Sequence, residues 1–307
     1  MNTDQIFSIY LLPITLAFIT LGMGLSLTIR DFKNIFLQPK AVILGLVCQM
    51  IVLPIFALLI AQFSGLSNEL KVGVVIIAAC PGGAVSNLIT HLLKGNVALS
   101  VSMTSVNSFI TIFTIPTIVS IALHYFMGDS KEISMDFWGT FLKVLLITVI
   151  PCLIGVFIHQ QYKLFAESLE RPLKVVMPVL LGLVMMGSIF IDKKENAVPI
   201  TFHEYITVIV PCLILNIGGM FIGFFASKAF GLRKKNQITI AIEVGLQNTG
   251  LAIFVAVSLL GNQHMAIPAS VYALFTFFSA AAFGFIVNRK EIMKKPAKTN
   301  DPTPETA

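Results

Sequence analysis

One apolar stretch of this sequence carries residues that could do chemistry. Residues 238–254 read ITIAIEVGLQNTGLAIF, with the carboxylate of Glu243 near the middle. A charge at the centre of a membrane helix costs at least about 2.5–3.5 kcal/mol, so such a group is usually protonated or paired. No lysine or arginine is an evident partner, because Lys143 lies near the end of its own apolar run and can reach the interface. We therefore expect Glu243 either to be protonated or to bind a cation.

Other apolar runs supply oxygen atoms, which are the ligands that hard cations prefer. One run has hydroxyls spaced i, i+4, i+8 and i+11, a spacing that puts them on one helical face: Ser100, Thr104, Ser108 and Thr111. Further amides and hydroxyls are Gln49, Ser86, Asn87, Gln247, Asn248 and Thr249. An unwound helix also frees backbone carbonyls for coordination. The pattern predicts a cation site around Glu243, with proton binding by Glu243 as the open alternative.

The composition shows what kind of chain positions these residues. Of the 307 residues, 56% are hydrophobic and 12% are charged, against about 25% charged in an average soluble domain. The apolar runs are continuous and about 20 residues long, the length of a membrane-spanning helix. The fold class predicted is an all-α polytopic membrane protein embedded in a lipid bilayer. The net charge of +6 comes from short loops, so we do not expect a nucleic-acid partner.

Nine membrane-spanning helices are predicted, and the loops between them are too short to contain a separate soluble domain. Their approximate ranges are 6–28, 41–63, 72–93, 97–125, 137–158, 175–191, 206–228, 238–260 and 268–288. The start, MNTDQ, lacks the basic segment of a signal peptide, so the first run is interpreted as a retained span. Residues 291–307 are predicted to be a disordered tail.

Lys and Arg are concentrated on one side of this arrangement. The positive-inside rule then places the N-terminus outside and the C-terminus in the cytoplasm. The sequence contains no N-glycosylation motif, Asn-x-Ser/Thr, which suits a bacterial inner membrane. We expect a multi-pass protein of the cell membrane.

Two of the predicted spans contain interruptions in corresponding positions. The third contains CPGGAVSN at residues 80–87, and the eighth contains EVGLQNTG at residues 243–250. Paired interruptions of this kind are the best sequence indication of a transporter's binding site. The two spans are five apart, and a five-helix repeat must invert its topology because five is odd. The pattern predicts an inverted-topology repeat whose first copy lacks its opening helix.

An enzyme is not expected from these residues. The four cysteines, Cys48, Cys80, Cys152 and Cys212, each lie within an apolar run without a CxxC partner. His91 has no partner that would make a nucleophile–base pair or a zinc site.

The interrupted spans resemble those of the bile acid:sodium symporter family. The residues that carry the resemblance are CPGGAVSNLITHLLKGNVALSVSMTSVN at 80–107 and IEVGLQNTGLA at 242–252, and the likeness runs from LGMGLSL at 21–27 through the ninth span. The resemblance implies two broken helices that cross in a core domain, and a separate panel domain. The core would comprise residues 41–136 and 206–290, and the panel residues 1–40 and 137–205.

The resemblance also implies two bound sodium ions. The first site would be formed by Ser86, Asn87, Ser100, Thr104 and Glu243. The second would be formed by Gln49, Glu243 and Gln247 with the backbone carbonyls of Val244 and Leu246.

The function implied is sodium-coupled symport of an organic anion as the core moves against the panel. The candidate substrate contacts are Asn248, Ala84 and Thr276. Bacterial members that bind bile acid carry His-Asn where this chain has Thr276 and Phe277, and Ala84 replaces a frequent Thr. The identity of the substrate therefore stays open between a bile acid and a small carboxylate such as pantoate or a 2-oxo acid. The alternatives are proton coupling through Glu243 and an anion sensor without transport.

Overall fold

Helices form all the regular structure in the part of the chain that is described. The structure is a computed structural model that describes residues 10–25, 37–128, 137–166, 168–169, 172, 176 and 201–292. The first six helices are α1 Leu12–Leu25, α2 Pro39–Phe63, α3 Asn68–Ala79, α4 Ala84–Leu92, α5 Val97–Met127, and α6, which runs from Phe137–Val144 through a π-helical turn at Leu145–Val149 into Ile150–Gln161. The others are α7 Phe202–Ala229, α8 Lys234–Gly245, α9 Thr249–Phe254 and α10 Ile267–Ile292.

Six stretches of the described residues are long and apolar enough to cross a membrane. They are Pro39–Phe63, Val97–Met127, Phe141–Gln161, Phe202–Ala229, Lys234–Leu259 and His264–Val287. An all-helical, polytopic membrane protein is therefore confirmed. The number of nine spans stays a prediction, because nearly all of the predicted span 175–191 lies outside the described residues. Most of the predicted tail lies outside them as well.

The third and eighth predicted spans are each interrupted, although over fewer residues than the sequence suggested. The breaks cover residues 80–83, between α3 and α4, and residues 246–248, between α8 and α9. The predicted interruptions, residues 80–87 and 243–250, were too long because several of their residues are helical. Ser86 and Asn87 lie in the first turn of α4, and Glu243 keeps its place in the last turn of α8. Within these two ranges, only residues 80–83 and the three residues after Gly245 leave the helical conformation.

Side-chain caps fix where several helices begin. The Asn248 side chain accepts a hydrogen bond from Leu251 N at 3.0 Å and so starts α9 immediately after the break. Asn96 caps α5 in the same way through Leu99 N at 3.3 Å. An N-terminal amide or hydroxyl of this kind contributes about 1 kcal/mol to helix stability. The second half of the broken span is therefore started by its own residue rather than by continuation of α8.

The broken helix pair α8–α9 lies at the centre of the bundle. Across Lys234–Leu259, 94% of the most apolar stretch is buried, against 33–44% for the other five spans. α7 packs closely along α8, because a Cβ at Gly219 would lie 2.9 Å from the Val244 carbonyl oxygen and one at Gly223 would lie 2.7 Å from that of Ile240. Small residues four apart allow this backbone-to-backbone approach in membranes.

α1 and α6 form a separate close pair. A Cβ at Gly24 would collide with the Cys152 backbone in α6, and one at Gly155 would collide with the backbone of α1. These two helices are the first and fifth predicted spans, which the sequence analysis assigned together to the panel. The division into panel and core itself stays a prediction.

Candidate functional site

The two helix breaks lie against each other. Asn248 N in the second break donates a hydrogen bond to the Pro81 carbonyl in the first, at 2.8 Å. A Cβ placed on Gly82 would lie 3.4 Å from the Leu246 carbonyl oxygen and 2.7 Å from Glu243 Oε2. Only glycine leaves room for this approach, so the first break brings its backbone directly to the carboxylate of the second broken helix.

Glu243 is fully buried in this contact, and three hydroxyls donate hydrogen bonds to it. Oε1 accepts from Ser86 Oγ at 2.8 Å and from Ser100 Oγ, and Oε2 accepts from Thr104 Oγ1 at 3.1 Å. Ser86, Ser100, Thr104 and Glu243 are all 0% exposed. Hydrogen bonds to a carboxylate are strong, but three neutral hydroxyls do not neutralise its charge. The arrangement therefore retains a demand for a cation or a proton.

Asn87 completes a cluster of oxygen atoms from α4, α5 and α8. Its Oδ1 accepts hydrogen bonds from Ser100 Oγ at 2.7 Å and from Thr104 Oγ1 at 3.3 Å. The structure thus brings together all the residues predicted for the first ion: Ser86, Asn87, Ser100, Thr104 and Glu243. Hydroxyl protons rotate freely, so these oxygens can turn their lone pairs towards a cation. Sodium binding at the cluster stays a prediction.

The second predicted ion site is built around two glutamines. Gln49 Nε2 lies 2.6 Å from Gln247 Oε1 and 3.3 Å from the Cys80 carbonyl oxygen. Gln247 Nε2 in turn donates to the Val244 carbonyl at 2.7 Å. Gln49 Oε1 is buried and has no hydrogen-bond partner among the residues that the structure describes. A buried acceptor without a donor fits a cation, because a positive ion would satisfy the oxygen.

Two hydroxyls of the predicted four-member face do not join the cluster. Ser108 Oγ donates to the Thr104 carbonyl at 2.8 Å, and Thr111 Oγ1 donates to the Ser108 carbonyl at 3.2 Å. Both bonds stay within α5, which is the usual behaviour of Ser and Thr in a helix. Of the four hydroxyls with this spacing, only those of Ser100 and Thr104 hydrogen-bond to Glu243.

Residues 13–198 match the family described as Sodium Bile acid symporter family. This range covers more than half of the chain. The chain belongs to the sodium bile acid symporter family.

Several proteins that are named as sodium-coupled or sodium-dependent transporters are similar to this chain over most of its length. A rice protein named probable sodium/metabolite cotransporter BASS1, chloroplastic (Oryza sativa subsp. japonica) is 31% identical over 83% of this chain and 60% of its own length. The uncharacterized sodium-dependent transporter YocS of Bacillus subtilis (strain 168) is 28% identical, over 93% and 85%. The human ileal sodium/bile acid cotransporter is 26% identical, over 100% and 89%.

These relatives are transporters by name, in agreement with the expectation that the protein is not an enzyme. The chain spans about 60% of the length of the rice protein and of its Arabidopsis thaliana counterpart. The bacterial and human relatives are covered almost completely.

Two of the three predicted substrate contacts, Asn248 and Ala84, lie at the breaks of this family member. Asn248 uses its Oδ1 to cap α9, which leaves its amide NH₂ as the end that can contact a ligand. Thr276 is buried and donates its hydroxyl to the Tyr272 carbonyl at 2.5 Å, one turn back in α10. Ala84 is the first residue of α4. Of these three, Asn248 has the side chain best suited to an anion.

Two polar residues near the breaks escaped the sequence analysis. Asn216 in α7 and Tyr272 in α10 both donate to the carbonyl of Gly245, the last residue of α8. Asn216 could have been found, because it is a lone amide in an apolar run, as Gln49 is. Tyr272 carried no such signal, since a tyrosine in a membrane helix usually packs.

Proposed function

We propose that the protein is a sodium-coupled symporter of an organic anion. The observation that carries this proposal is the burial of Glu243 between two broken helices, with hydroxyl and amide oxygens of α4 and α5 around it. No lysine or arginine among the described residues pairs with this carboxylate, and a carboxylate surrounded by oxygen ligands suits a small hard cation. The names of the relatives favour sodium as that cation.

Two sodium ions would bind around the one carboxylate. The first would lie among the hydroxyls and the amide oxygen that surround Glu243. The second would use the unpartnered Gln49 Oε1 together with Gln247, Glu243 and the carbonyls of Val244 and Leu246. Bound between segments of α2, α4, α5 and α8, the ions would hold the two breaks in one arrangement.

An anionic substrate would be favoured beside the breaks. Two sodium ions and one carboxylate leave a net positive charge, and α4 and α9 both begin at the crossing with the positive ends of their dipoles. Sodium would therefore raise the affinity for the anion, and the anion would raise the affinity for sodium by the same factor. Asn248, Ala84 and Thr276 would contact a bile acid or a smaller carboxylate such as pantoate or a 2-oxo acid.

Transport would follow from movement of the core against the panel. The close pair α1–α6 supports a panel that moves as a unit, because its helices touch backbone to backbone. In this mechanism residues 41–136 and 206–290 alternate the site between the two sides of the cell membrane. Downhill sodium entry then drives uptake of the anion.

The experiment is uptake into sealed proteoliposomes with a panel of radiolabelled anions. A sodium gradient should drive accumulation above the outside concentration, and replacement of sodium by choline should abolish it. A specific observation keeps proton coupling as a second candidate: the three groups that bond Glu243 are neutral hydroxyls. Uptake that ignores sodium and follows a pH gradient would establish that candidate, and saturation at one anion per protein would indicate a sensor.

A further inference from the structure

The end of α8 is held by side chains from two other helices. The carbonyl oxygen of Gly245 lies 2.7 Å from Asn216 Nδ2 of α7 and 2.5 Å from the Tyr272 hydroxyl of α10. Asn216 Nδ2 also lies 3.2 Å from the Tyr272 hydroxyl. Asn216 and Tyr272 are both 0% exposed. One backbone oxygen thus accepts hydrogen bonds from two buried donors, one on the helix that precedes α8 and one on α10.

These donors replace a backbone hydrogen bond that the break removes. In a continuous helix the Gly245 carbonyl would accept from the N–H of Thr249. Here Thr249 N lies 3.0 Å from the Gln247 carbonyl, because α9 starts anew. A buried carbonyl without a donor is costly, so the break can exist in this position only if other groups supply one. Asn216 and Tyr272 do so.

The same contacts fix the orientation of one peptide group. Leu246 N donates to the Ile242 carbonyl at 2.9 Å, while the Gly245 carbonyl of that same peptide is held by the two side chains. A peptide group is planar, so holding its N–H and its C=O determines the direction of the whole unit. The neighbouring carbonyls belong to Val244 and Leu246, which are the backbone ligands proposed for the second sodium ion.

The Asn216 amide is oriented for this task. Its Nδ2 donates both of its hydrogen bonds, whereas its Oδ1 is buried and meets no donor in the described part of the chain. The reversed amide would place Oδ1 against the Gly245 carbonyl, where two acceptors repel. Close packing supports the reach, because a Cβ on Gly219, one turn along α7, would already lie 3.4 Å from the Gly245 Cα.

We propose that Asn216 and Tyr272 are positioning residues for the second sodium site. They touch neither ion. By holding the Gly245 carbonyl away from the site, they direct the carbonyls of Val244 and Leu246 towards it. This inference rests on the proposed function, since it assigns the residues that set the sodium affinity of that same site.

The test compares Tyr272→Phe with Tyr125→Phe. Both variants remove one phenolic hydroxyl, but Tyr125 is 62% exposed near the end of α5. The measurement is the melting temperature of the purified protein as sodium replaces choline, because an ion that binds the folded state raises it. For Tyr272→Phe, half-maximal stabilisation should need about five- to twentyfold more sodium. The plot of melting temperature against sodium should also be less steep, because the first site is intact and only the second is weakened. Tyr125→Phe should match the wild type.

A purely structural role would lower the melting temperature in choline and leave the sodium midpoint unchanged, and that result overturns the inference. Gln247→Leu removes a proposed side-chain ligand of the same site, so adding Tyr272→Phe to it should raise the midpoint by less than Tyr272→Phe does alone. A fully additive rise would place the effect of Tyr272 elsewhere and would also overturn the inference. Should Tyr272→Phe fail to fold, Asn216→Leu gives the same comparison. A wild type without any sodium response overturns the proposed function, and this inference with it.

Discussion

At the scale of single residues, Glu243 organises the polar contacts of the breaks. It lies in the last turn of α8, and the hydroxyls that reach it come from α4 and α5. Each hydroxyl bond to the carboxylate is charge-assisted and stronger than a neutral one. The same three hydroxyl oxygens would coordinate a sodium ion, so their loss should affect ion binding before it affects folding.

Ser100→Ala tests the first ion site. Ser100 contacts both Glu243 and Asn87. Replacing it by alanine removes one ligand of the predicted site and also a hydrogen bond to Asn87, another ligand of that site. A hydrogen bond to a charged group contributes about 1.5–3 kcal/mol, and a factor of ten corresponds to about 1.4 kcal/mol. We expect the sodium concentration for half-maximal uptake to rise roughly ten- to a hundredfold.

Ser105→Ala is the matched control. Ser105 is buried on the same helix, but its Oγ donates to the Val101 carbonyl at 2.8 Å. Its sodium midpoint should remain that of the wild type. Equal shifts in the two variants would mean that α5 responds to any lost hydroxyl, and the assignment of Ser100 as a ligand would be wrong.

The sequence could predict residues that stand out from their surroundings. Glu243 and Gln49 are isolated polar groups in apolar runs, and helical spacing connected Ser100 with Thr104. The spacing could not show how far along α5 the carboxylate reaches, and the hydroxyls of Ser108 and Thr111 bond within the helix instead. That limit is set by tertiary packing, which no local pattern encodes.

At the scale of elements, the breaks bring ligands from distant parts of the chain to one place. Pro81 and the glycines beside it end α3, and a new helix starts at Ala84. The sequence predicted both interruptions because proline and glycine weaken helices. It did not predict the π-helical turn at Cys48–Val52, which contains Gln49. Such turns depend on packing around the helix and have no simple residue signature.

Gly82→Ala tests the contact between the breaks. A methyl group on residue 82 would lie 2.7 Å from Glu243 Oε2, so either the carboxylate or the backbone must move. Overpacking of this kind costs about 1–3 kcal/mol and would displace a ligand shared by both ions. We expect sodium-dependent thermal stabilisation to be lost while the protein still folds.

Gly83→Ala supplies the comparison at the next residue. A Cβ there would lie no closer than 3.9 Å to Asn248, which is ordinary van der Waals contact. This variant should keep its sodium-dependent stabilisation. Loss of the response in both variants would show that the break requires glycine flexibility, and the close approach of Gly82 to Glu243 would not be the cause.

At the scale of the whole molecule, the charge bias predicts an orientation that labelling can test. The described cysteines are all buried, which gives a low background for a membrane-impermeant thiol reagent. Asn68→Cys lies at the start of α3 on the predicted outer side, and Lys235→Cys lies in the first turn of α8 on the predicted cytoplasmic side; both native side chains are exposed.

Intact cells should therefore label Asn68→Cys, whereas Lys235→Cys should label only after permeabilisation. The reason is that lysine-rich loops stay in the cytoplasm during insertion. The reverse pattern would invert the topology and with it the proposed direction of uptake. Labelling of both positions in intact cells would mean that the predicted sides are not separated by a membrane.

The most direct measurement of the central claim is equilibrium binding of radioactive sodium to the purified protein, wild type against Glu243→Gln. Glu243 is the one residue common to both predicted ion sites, and its substitution keeps the shape while removing the charge. The account predicts saturable binding of two ions per wild-type protein and no saturable binding to Glu243→Gln. Equal sodium binding by the two proteins would contradict it.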